Sequence, residues 1–339
     1  MQVLTVSNLR KRFNLEAGFF ASIGRYVHAV NGVSFNINKN ESYGLVGESG
    51  CGKTTTARLL VRMYEADTGE IVFRGYDGNT EDGYIVDVRK LKGMDFKRYR
   101  ERVKYVFQDP ARSLNPRMTI YEVLTSGAKW SDKKQGASSL REEAAAILEE
   151  VGLSAADLER RPAEFSGGQR QRISIARGLM MKPDLLICDE VVSALDVSIQ
   201  GQILNLLLDM RNSRKSSGQE ISFLFIAHDL KVASYFCDRI GVMYSGEIME
   251  EAPAHELWKK HLHPYTELLF SSVGNKIEHS VEFAQTSGLI QTPRLESQRL
   301  SSHGCAFAGR CPHAEERCLA DKPPLKEVTG THLVRCWKQ

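Results

Sequence analysis

Hydrophobic patterns typical of strands and of helices alternate along most of this chain. Four short apolar runs are typical of buried strands: residues 42–46, 103–107, 185–188 and 221–226. Three segments repeat apolar side chains at helical spacing: residues 55–63, 141–151 and 170–180. A further helix is expected after Asp196, where Ser198 can act as its cap. This alternation predicts an α/β fold whose mainly parallel sheet is covered by helices on both faces.

Segments that depart from the alternation are expected as additions to this core. Residues 4–6 and 33–37 alternate apolar and polar positions, which predicts small N-terminal antiparallel strands. Between them, residues 18–26 are expected to form an insertion that contains glycine and aromatic side chains. Residues 76–83 are typical of a surface connection, and a helical subdomain is expected at about 112–180.

The composition of the chain changes after about residue 270. Residues 286–304 are polar, with Ser, Gly, Gln and Pro, and they predict a linker to a small end piece rich in cysteine. We therefore divide the chain into a main domain at 1–270 and a linker with a Cys-rich extension at 271–339.

Composition and charge exclude several classes of protein. With 42% hydrophobic residues among 339, the chain can bury a sizeable core, so global disorder is excluded. A net charge of +3 is too small to indicate a nucleic-acid partner. The chain has no apolar run of 18 residues and no signal-peptide pattern at its start, so we expect neither secretion nor a membrane span. A membrane role would come through a partner.

The most specific motif is a glycine-rich loop that matches G-x-x-x-x-G-K-[ST]. It consists of Gly47, Glu48, Ser49, Gly50, Cys51, Gly52, Lys53 and Thr54. In such a loop the backbone N–H groups surround phosphates, the lysine reaches the β- and γ-phosphates, and the hydroxyl binds Mg²⁺. A buried strand precedes the loop and a helix that includes Thr55 follows it, which favours a phosphate site over a plain surface turn. The sequence thus predicts binding of ATP with Mg²⁺.

A second chemical feature is a pair of carboxylates at the end of an apolar strand. Asp189 and Glu190 follow residues 185–188, and ligands of open α/β sheets bind at the carboxyl ends of the strands. Asp189 is suited to hold Mg²⁺, and Glu190 is suited to orient and deprotonate an attacking water. Acidic residues that merely end a strand are the alternative, which the phosphate loop disfavours.

A third feature is the start of a helix at residues 165–169. Ser166 suits the N-cap of that helix, and Gly167 and Gly168 leave N–H groups open to a phosphate, with Gln169 following. This segment resembles the signature sequence of ATP-binding cassette (ABC) ATPases. The resemblance covers about residues 1–270 and implies an ABC nucleotide-binding domain with a P-loop NTPase fold.

The resemblance also implies roles for single residues. Gln108 is similar to the glutamine that contacts Mg²⁺ and water, and His228 to the histidine near the γ-phosphate. Asp196 lies in a loop that resembles the one communicating across the dimer of this family. Phe13 stands where the family stacks an aromatic ring on adenine, with Tyr26 as the alternative. Because such ATPases place ATP between the loop of one subunit and the signature of another, a working dimer is implied.

The end of the chain resembles a narrower group. The segments His263–Leu269 and Gly304–Pro312 resemble the C-terminal region of oligopeptide, dipeptide and nickel importer ATPases. This resemblance implies an ATPase that energises peptide import at the cytoplasmic face of the membrane, as a peripheral subunit. The implied partners are a second, non-identical ATPase subunit, two permease subunits and an extracytoplasmic solute-binding protein, without nucleic acid.

Other functions stay open at this point. A nickel or sugar importer would need the same cassette, because other subunits select the solute. A permease-free ABC ATPase that acts on nucleic acid or the ribosome is a further alternative, which the small net charge disfavours. A regulatory protein with an iron–sulfur cluster, whose cassette only senses nucleotide, is disfavoured because Asp189, Glu190 and His228 are intact.

Seven cysteines fall into two groups. Cys51, Cys188 and Cys237 are expected to be core thiols. Four others crowd the end at separations of 6, 7 and 18 residues: Cys305, Cys311, Cys318 and Cys336. Disulfides, a zinc site, a [4Fe-4S] cluster and free thiols are all compatible with this spacing. We favour the cluster, because four thiolates can hold one and some members of the resembling family carry one.

Overall fold

The computed structural model of this chain describes residues 1–14, 26–75, 84–128, 136–273 and 303–339. The insertion predicted at 18–26 lies outside the described residues except for Tyr26. The surface connection predicted at 76–83 and nearly all of the linker predicted at 286–304 lie outside them too.

Contacts between residues divide the chain into two compact units. The first unit consists of Met1–Thr5, Asn36–Ser42 and Val72–Ile226. The second consists of Val6–Phe35, Tyr43–Ile71 and Ala227–Gln339.

The described strands follow each other along the chain in twelve segments. They are β1 (Gln2–Asn14), β2 (Tyr26–Asn38), β3 (Ser42–Val46), β4 (Thr68–Gly75), β5 (Tyr84–Asp87), β6 (Val103–Val106), β7 (Leu185–Asp189), β8 (Ser222–Ala227), β9 (Arg239–Tyr244), β10 (Glu247–Pro253), β11 (Lys326–Thr329) and β12 (His332–Val334).

Helices separate most of these strands. The described α-helices are α1 (Lys53–Leu60), α2 (Gly93–Arg102), α3 (Pro110–Ser113), α4 (Ile120–Thr125), α5 (Ala137–Glu150), α6 (Gly167–Leu179), α7 (Val197–Ser216), α8 (Leu230–Phe236), α9 (Ala254–Lys259), α10 (Pro264–Val273) and α11 (Glu316–Ala320). Short 3₁₀ turns lie at Val88–Lys90, Ala155–Glu159, Pro162–Glu164 and Ala308–Arg310. Within the described ranges, no helix combines the length and the apolar character that crossing a bilayer requires.

The first unit contains a parallel layer of buried strands. β7 pairs in parallel with β6 on one side and with β8 on the other, and every residue of β7 and β8 is buried. Such continuous apolar runs are typical of strands covered on both faces. Helices α3, α4 and α5 pack against α6 in the same unit. The predicted α/β fold, with helices beside a mainly parallel sheet, is confirmed.

The second unit contains the end of the chain as part of a sheet. β3 pairs in parallel with β9, and β9, β10, β12 and β11 follow in antiparallel order. The register places Glu250 opposite Val334 and Glu251 opposite Leu333. The sequence pattern did not predict these last two strands, because β11 and β12 are only four and three residues long.

A buried carboxylate ties the end of the chain to this unit. Glu250 of β10 is 0% exposed and accepts hydrogen bonds from the N–H groups of Leu262 (2.7 Å) and His263 (3.0 Å). Nε2 of His332, in β12, donates to the same carboxylate at 2.6 Å. Burial raises the pKa of Glu250, but these hydrogen bonds outweigh burial and hold the pKa below its ordinary value. The charge is therefore satisfied where an unpaired carboxylate would be costly.

His263 is buried beside this carboxylate as a neutral ring. Its Nδ1 accepts a hydrogen bond from the N–H of Tyr265 at 3.0 Å, which requires that Nδ1 carry no proton. Burial lowers the pKa of His263 to about 4, although the nearby Glu250 charge acts in the opposite direction. Geometry and pKa thus agree on the protonation state.

We predict that His263→Asn weakens the loss of stability in acid. The unfolded chain binds a proton at His263 near pH 6.5, whereas the folded chain binds it only near pH 4, so this group's contribution is lost as pH falls between those values. The loss amounts to up to about 3 kcal/mol in the wild type. Asn keeps an oxygen for the Tyr265 N–H but cannot titrate. Urea unfolding at several pH values between 4 and 7 measures the difference.

The control is His255→Asn, which removes an exposed histidine of α9 in the same unit. This variant should keep the pH dependence of the wild type. If His263→Asn also keeps it, His263 is not the group that makes the fold sensitive to acid.

The turn between β3 and α1 depends on a glycine. Gly52 precedes α1 with φ 110°, a conformation that residues with a side chain rarely adopt. A Cβ atom at this position would overlap the carbonyl oxygen of Ala29 and lie 2.7 Å from Cε of Met243. Backbone atoms cannot move aside as a flexible side chain can. The close approach therefore admits glycine alone.

We predict that Gly52→Ala costs more stability than Gly50→Ala. Gly50 also has a positive φ, 80°, but no atom lies within 4 Å of a Cβ built there. Gly50→Ala should cost about 1–2 kcal/mol from backbone strain alone. Gly52→Ala should cost clearly more, because the overlap with the Ala29 carbonyl is added. Urea unfolding of both variants tests this, and equal losses would show that the close approach has no energetic weight.

Candidate nucleotide-binding and hydrolysis site

The glycine-rich loop connects a buried strand to the start of a helix, as its motif requires. β3 ends at Val46 and α1 begins at Lys53, whose side chain is 3% exposed. Nζ of Lys53 donates to the carbonyl oxygens of Gly47 (2.8 Å) and Glu48 (2.9 Å). The ammonium group is thus held against the loop itself, at the positive end of α1. Thr54 and Thr55 follow in the first turn.

Cys51 in the loop acts as a small packed residue. It is buried, and burial raises the pKa of its thiol even though Lys53 acts in the opposite direction. A protonated buried thiol is a poor nucleophile. The backbone carbonyl oxygen of Cys51 accepts a hydrogen bond from the N–H of Gly246 at 2.8 Å.

Asp189 ends β7 in the first unit, as predicted. It is buried, and the hydroxyl of Tyr105, from the neighbouring β6, donates a hydrogen bond to its carboxylate. A carboxylate has several lone-pair sites, so the hydrogen bond from Tyr105 does not by itself prevent a further ligand from binding. The arrangement is suited to a hard cation such as Mg²⁺.

Glu190 has an unusual backbone conformation and contacts Ile226, Ser193 and Gln108. Its φ is 48°, in the left-handed region that residues with a side chain rarely adopt. Its N–H donates to the carbonyl oxygen of Ile226 (3.1 Å), and its own carbonyl accepts from Oγ of Ser193 (2.9 Å). Nε2 of Gln108 donates to its carboxylate at 2.9 Å and lies 3.4 Å from Oγ of Ser193. Backbone strain of this kind persists where surrounding contacts enforce it, and it clusters at functional sites.

The predicted signature segment begins α6. Ser166 is the N-cap, and its hydroxyl accepts from the N–H of Gln169 at 3.3 Å, while the Gln169 side chain accepts from the N–H of Ser166 at 3.0 Å. This reciprocal pair is a capping box. Gly167 has no atom within 4 Å of a Cβ built on it, so its surroundings are open. The helix start is therefore exposed, and the capping box fixes its conformation.

The remaining predicted residues lie at the edges of elements. Asp196 is exposed and is the N-cap of α7, in place of the predicted Ser198. His228 is exposed and follows β8 directly. Phe13 packs edge-on against Tyr64 with ring centroids 5.3 Å apart. Tyr26 is 48% exposed and has the Arg12 guanidinium 4.7 Å from its ring centroid.

These residues are divided between the two units. Gln108, Asp189, Glu190 and the signature belong to the first unit, and the glycine-rich loop and His228 belong to the second. Within the first unit the structure brings the side chains of Gln108 and Glu190 into direct contact. It also adds Tyr105, which the sequence analysis missed. Tyr105 can be recognised as a partner of Asp189 only once β6 is known to pair with β7.

The expectation of an iron–sulfur or other metal site at the end of the chain is wrong. Cys305, Cys311, Cys318 and Cys336 all line one cavity. Phe307 and Trp337 are among the other residues that line it. The four cysteines are free thiols, and no group of His, Cys, Asp and Glu side chains among the described residues is placed to hold a metal ion.

Burial also changes the acidity of two of these thiols. Burial raises the pKa of Cys305 to about 11 and also raises that of Cys311. The spacing of cysteines along a sequence does not fix whether four thiols converge at metal-bonding distance, and the described residues contain no such group. The number and crowding of cysteines was therefore an insufficient signal.

Two family models match this chain in order. The model described as "ABC transporter" matches residues 30–193, which include the glycine-rich loop, the signature and Glu190. The model described as "Oligopeptide/dipeptide transporter, C-terminal region" matches residues 249–318.

Curated relatives are similar over nearly the whole chain. The oligopeptide transport ATP-binding protein AppF of Bacillus subtilis is 39% identical, with 98% of this chain and 96% of AppF covered. A putative peptide import ATP-binding protein of Brucella ovis is 42% identical, with 91% of this chain and 90% of that protein covered.

Solved structures confirm the fold. The ATP-binding cassette MJ0796, in a dimeric post-hydrolysis state bound to ADP and phosphate, has a TM-score of 0.60 at 23% identity, over 74% of this chain and 98% of that chain. CbiO1 of Clostridium perfringens has a TM-score of 0.62 at 22% identity, over 84% of this chain and 99% of that chain. The site geometry, the matched models and the relatives agree, and this chain belongs to the ABC ATPases of the oligopeptide/dipeptide transporter family.

Proposed function

We propose that this ATPase energises an importer of peptides. The observation that carries the solute class is the C-terminal region of oligopeptide and dipeptide transporters at residues 249–318, which follows the cassette in the same chain. The names of the relatives, which are oligopeptide transport and peptide import proteins, support the same class.

In this proposal each site residue has a defined task. The loop of residues 47–54 binds the phosphates through its N–H groups and Lys53. Thr54 supplies a hydroxyl and Asp189 a carboxylate, the hard oxygen ligands that Mg²⁺ prefers, and this ion neutralises phosphate charge when bound. Glu190 accepts a proton from the attacking water.

Three further residues support this chemistry. Gln108 orients Glu190 and the water through the amide group that already touches the Glu190 carboxylate. His228 contacts the γ-phosphate, and Phe13 or Tyr26 stacks on adenine. The left-handed φ of Glu190 supports its role, because the strained backbone holds the carboxylate in one position.

The working unit is a dimer of nucleotide-binding domains. The signature (Ser166–Gln169) acts on ATP bound by the partner, and Asp196 communicates between the subunits. The exposed start of α6 and the 84% exposed Val197 beside Asp196 support a protein interface on this side of the first unit. The second ATPase subunit is non-identical. Two permease subunits and an extracytoplasmic solute-binding protein complete the complex at the cytoplasmic face of the membrane.

The same preparation tests three alternatives: import of Ni²⁺, import of a sugar, and action on nucleic acid without a permease. The complex is purified with its permeases, placed in liposomes and assayed for ATP hydrolysis with the binding protein carrying a peptide, Ni²⁺ or a sugar. Stimulation by the peptide supports the proposal, and stimulation by Ni²⁺ or the sugar alone replaces the solute class. Purification of the chain with RNA or DNA and without a permease would favour a nucleic-acid factor.

We predict that Glu190→Gln retains ATP binding and loses turnover. The amide preserves size and hydrogen bonding but cannot accept the proton of water, so kcat should fall by about 10²–10⁴-fold. Binding of a fluorescent ATP analogue to the purified chain and phosphate release by the assembled complex measure the two properties separately.

The matched control is Glu149→Gln, which changes an exposed carboxylate on α5 in the same unit. It should leave both properties unchanged. Wild-type turnover in Glu190→Gln would remove Glu190 from the mechanism, and loss of ATP binding would show that its role lies in binding.

A further inference from the structure

The Cys-rich end of the chain reaches the glycine-rich loop through one arginine. Both amino groups of the Arg310 guanidinium donate to the Glu48 carboxylate, at 2.8 Å and 3.0 Å. This two-pronged geometry is the strongest form of an arginine–carboxylate pair. Arg310 follows the end-piece segment Cys305–Gly309, and Glu48 is the second residue of the phosphate-binding motif.

The arginine is held in place by aromatic side chains. Its guanidinium lies 5.6 Å from the ring centroid of Tyr244 and 5.8 Å from that of Phe307. Phe307 is buried against Tyr244 and Tyr265, with centroids 5.3 Å and 5.4 Å away. Stacking on aromatic faces restricts the guanidinium and adds attraction. The pair thus loses less side-chain freedom than an ordinary surface ion pair does.

The end piece that carries Arg310 is itself firmly attached. β12 pairs with β10, and the N–H of Arg335 donates to the carbonyl oxygen of Met249 at 2.8 Å. His332 binds the buried Glu250, and Lys322 pairs with Glu247 at 2.7 Å. Arg310 therefore acts on the loop from a fixed support.

Glu48 connects this support to the lysine of the loop. Its carboxylate binds Arg310, its N–H donates to the hydroxyl of Tyr265 at 2.9 Å, and its carbonyl oxygen accepts from Nζ of Lys53 at 2.9 Å. Glu48 is thus held by its side chain and its N–H, while its carbonyl oxygen holds the Lys53 ammonium, the group assigned to phosphate.

We propose that Arg310 is a positioning residue for nucleotide binding, which fixes Glu48 and thereby the loop and the Lys53 ammonium. This inference rests on the proposed role of the loop in ATP binding. An ion pair with both side chains about a third exposed, 31% and 36%, adds little to global stability. Its effect is expected in the affinity for ATP, because a phosphate site depends on the geometry of N–H groups and the lysine.

The test measures binding of a fluorescent ATP analogue to the full chain and ATP hydrolysis by the assembled complex. Arg310→Ala should raise Kd and KM for ATP by about five- to twentyfold, the effect expected for loss of one charge-assisted pair. Turnover at saturating ATP should change by less than about twofold, because Arg310 does not touch the reacting atoms. Arg310→Lys should bind ATP more tightly than Arg310→Ala, since lysine keeps the charge but cannot make the bidentate hydrogen bonds.

Two further variants identify the pair as the cause. Glu48→Gln should weaken binding as Arg310→Ala does, and the double variant should be no worse than either single one. Arg317→Ala is the control, because Arg317 stacks on Trp337 in the same end piece. It should bind ATP as the wild type does.

The outcomes separate this inference from the proposed function. If the wild type binds no ATP analogue, the proposed role of the loop fails. If the wild type binds and Arg310→Ala binds equally well, or if Arg317→Ala weakens binding as much, the positioning role alone is overturned. Additive effects in the double variant would overturn it as well. If Arg310→Ala does not fold, as judged by thermal unfolding, Arg310→Lys and Glu48→Gln decide the question.

Discussion

The buried charge of Glu250 is the constraint on which the second unit depends. A carboxylate without exposure to water needs several donors, and here they come from segments far apart in the chain: two N–H groups before α10 and the ring of His332. Because each donor must reach the same carboxylate, the segment 303–339 is fastened beside β10. A satisfied buried charge thus specifies one arrangement where apolar contacts alone would tolerate several.

This attachment has a consequence for chemistry in the same unit. The end piece places a rigid aromatic cluster and Arg310 against Glu48, next to the lysine that the motif assigns to phosphate. In this chain the C-terminal region is thereby part of the surroundings of the glycine-rich loop. The number of its cysteines suggested a metal site, but the described residues do not form one. These cysteines line a cavity, and the contact with the loop is made by Arg310, which lies between them in the sequence.

The first unit also fixes a carboxylate through several surrounding groups, at Glu190. Glu190 carries a backbone strain of order 1–3 kcal/mol, which the contacts of its N–H and carbonyl groups and of its carboxylate with Gln108 maintain. Tyr105 directs the neighbouring Asp189. Both carboxylates thus lie at the end of one buried strand in fixed but different surroundings, which suits them to different tasks.

Local patterns sufficed for the α/β class, the parallel buried strands, the glycine-rich loop before α1 and the cap at Ser166, because each follows from spacing within a few residues. The family resemblance singled out Gln108 and Glu190, but the contact between them is seen only in the structure. Only tertiary structure decided the donors to Glu250, the hydrogen bond of Tyr105, the reach of Arg310 to Glu48 and the state of the cysteines. These features join residues separated by 12 to 262 positions or depend on burial. No local pattern encodes such distances, since they arise when strands pair and exclude water.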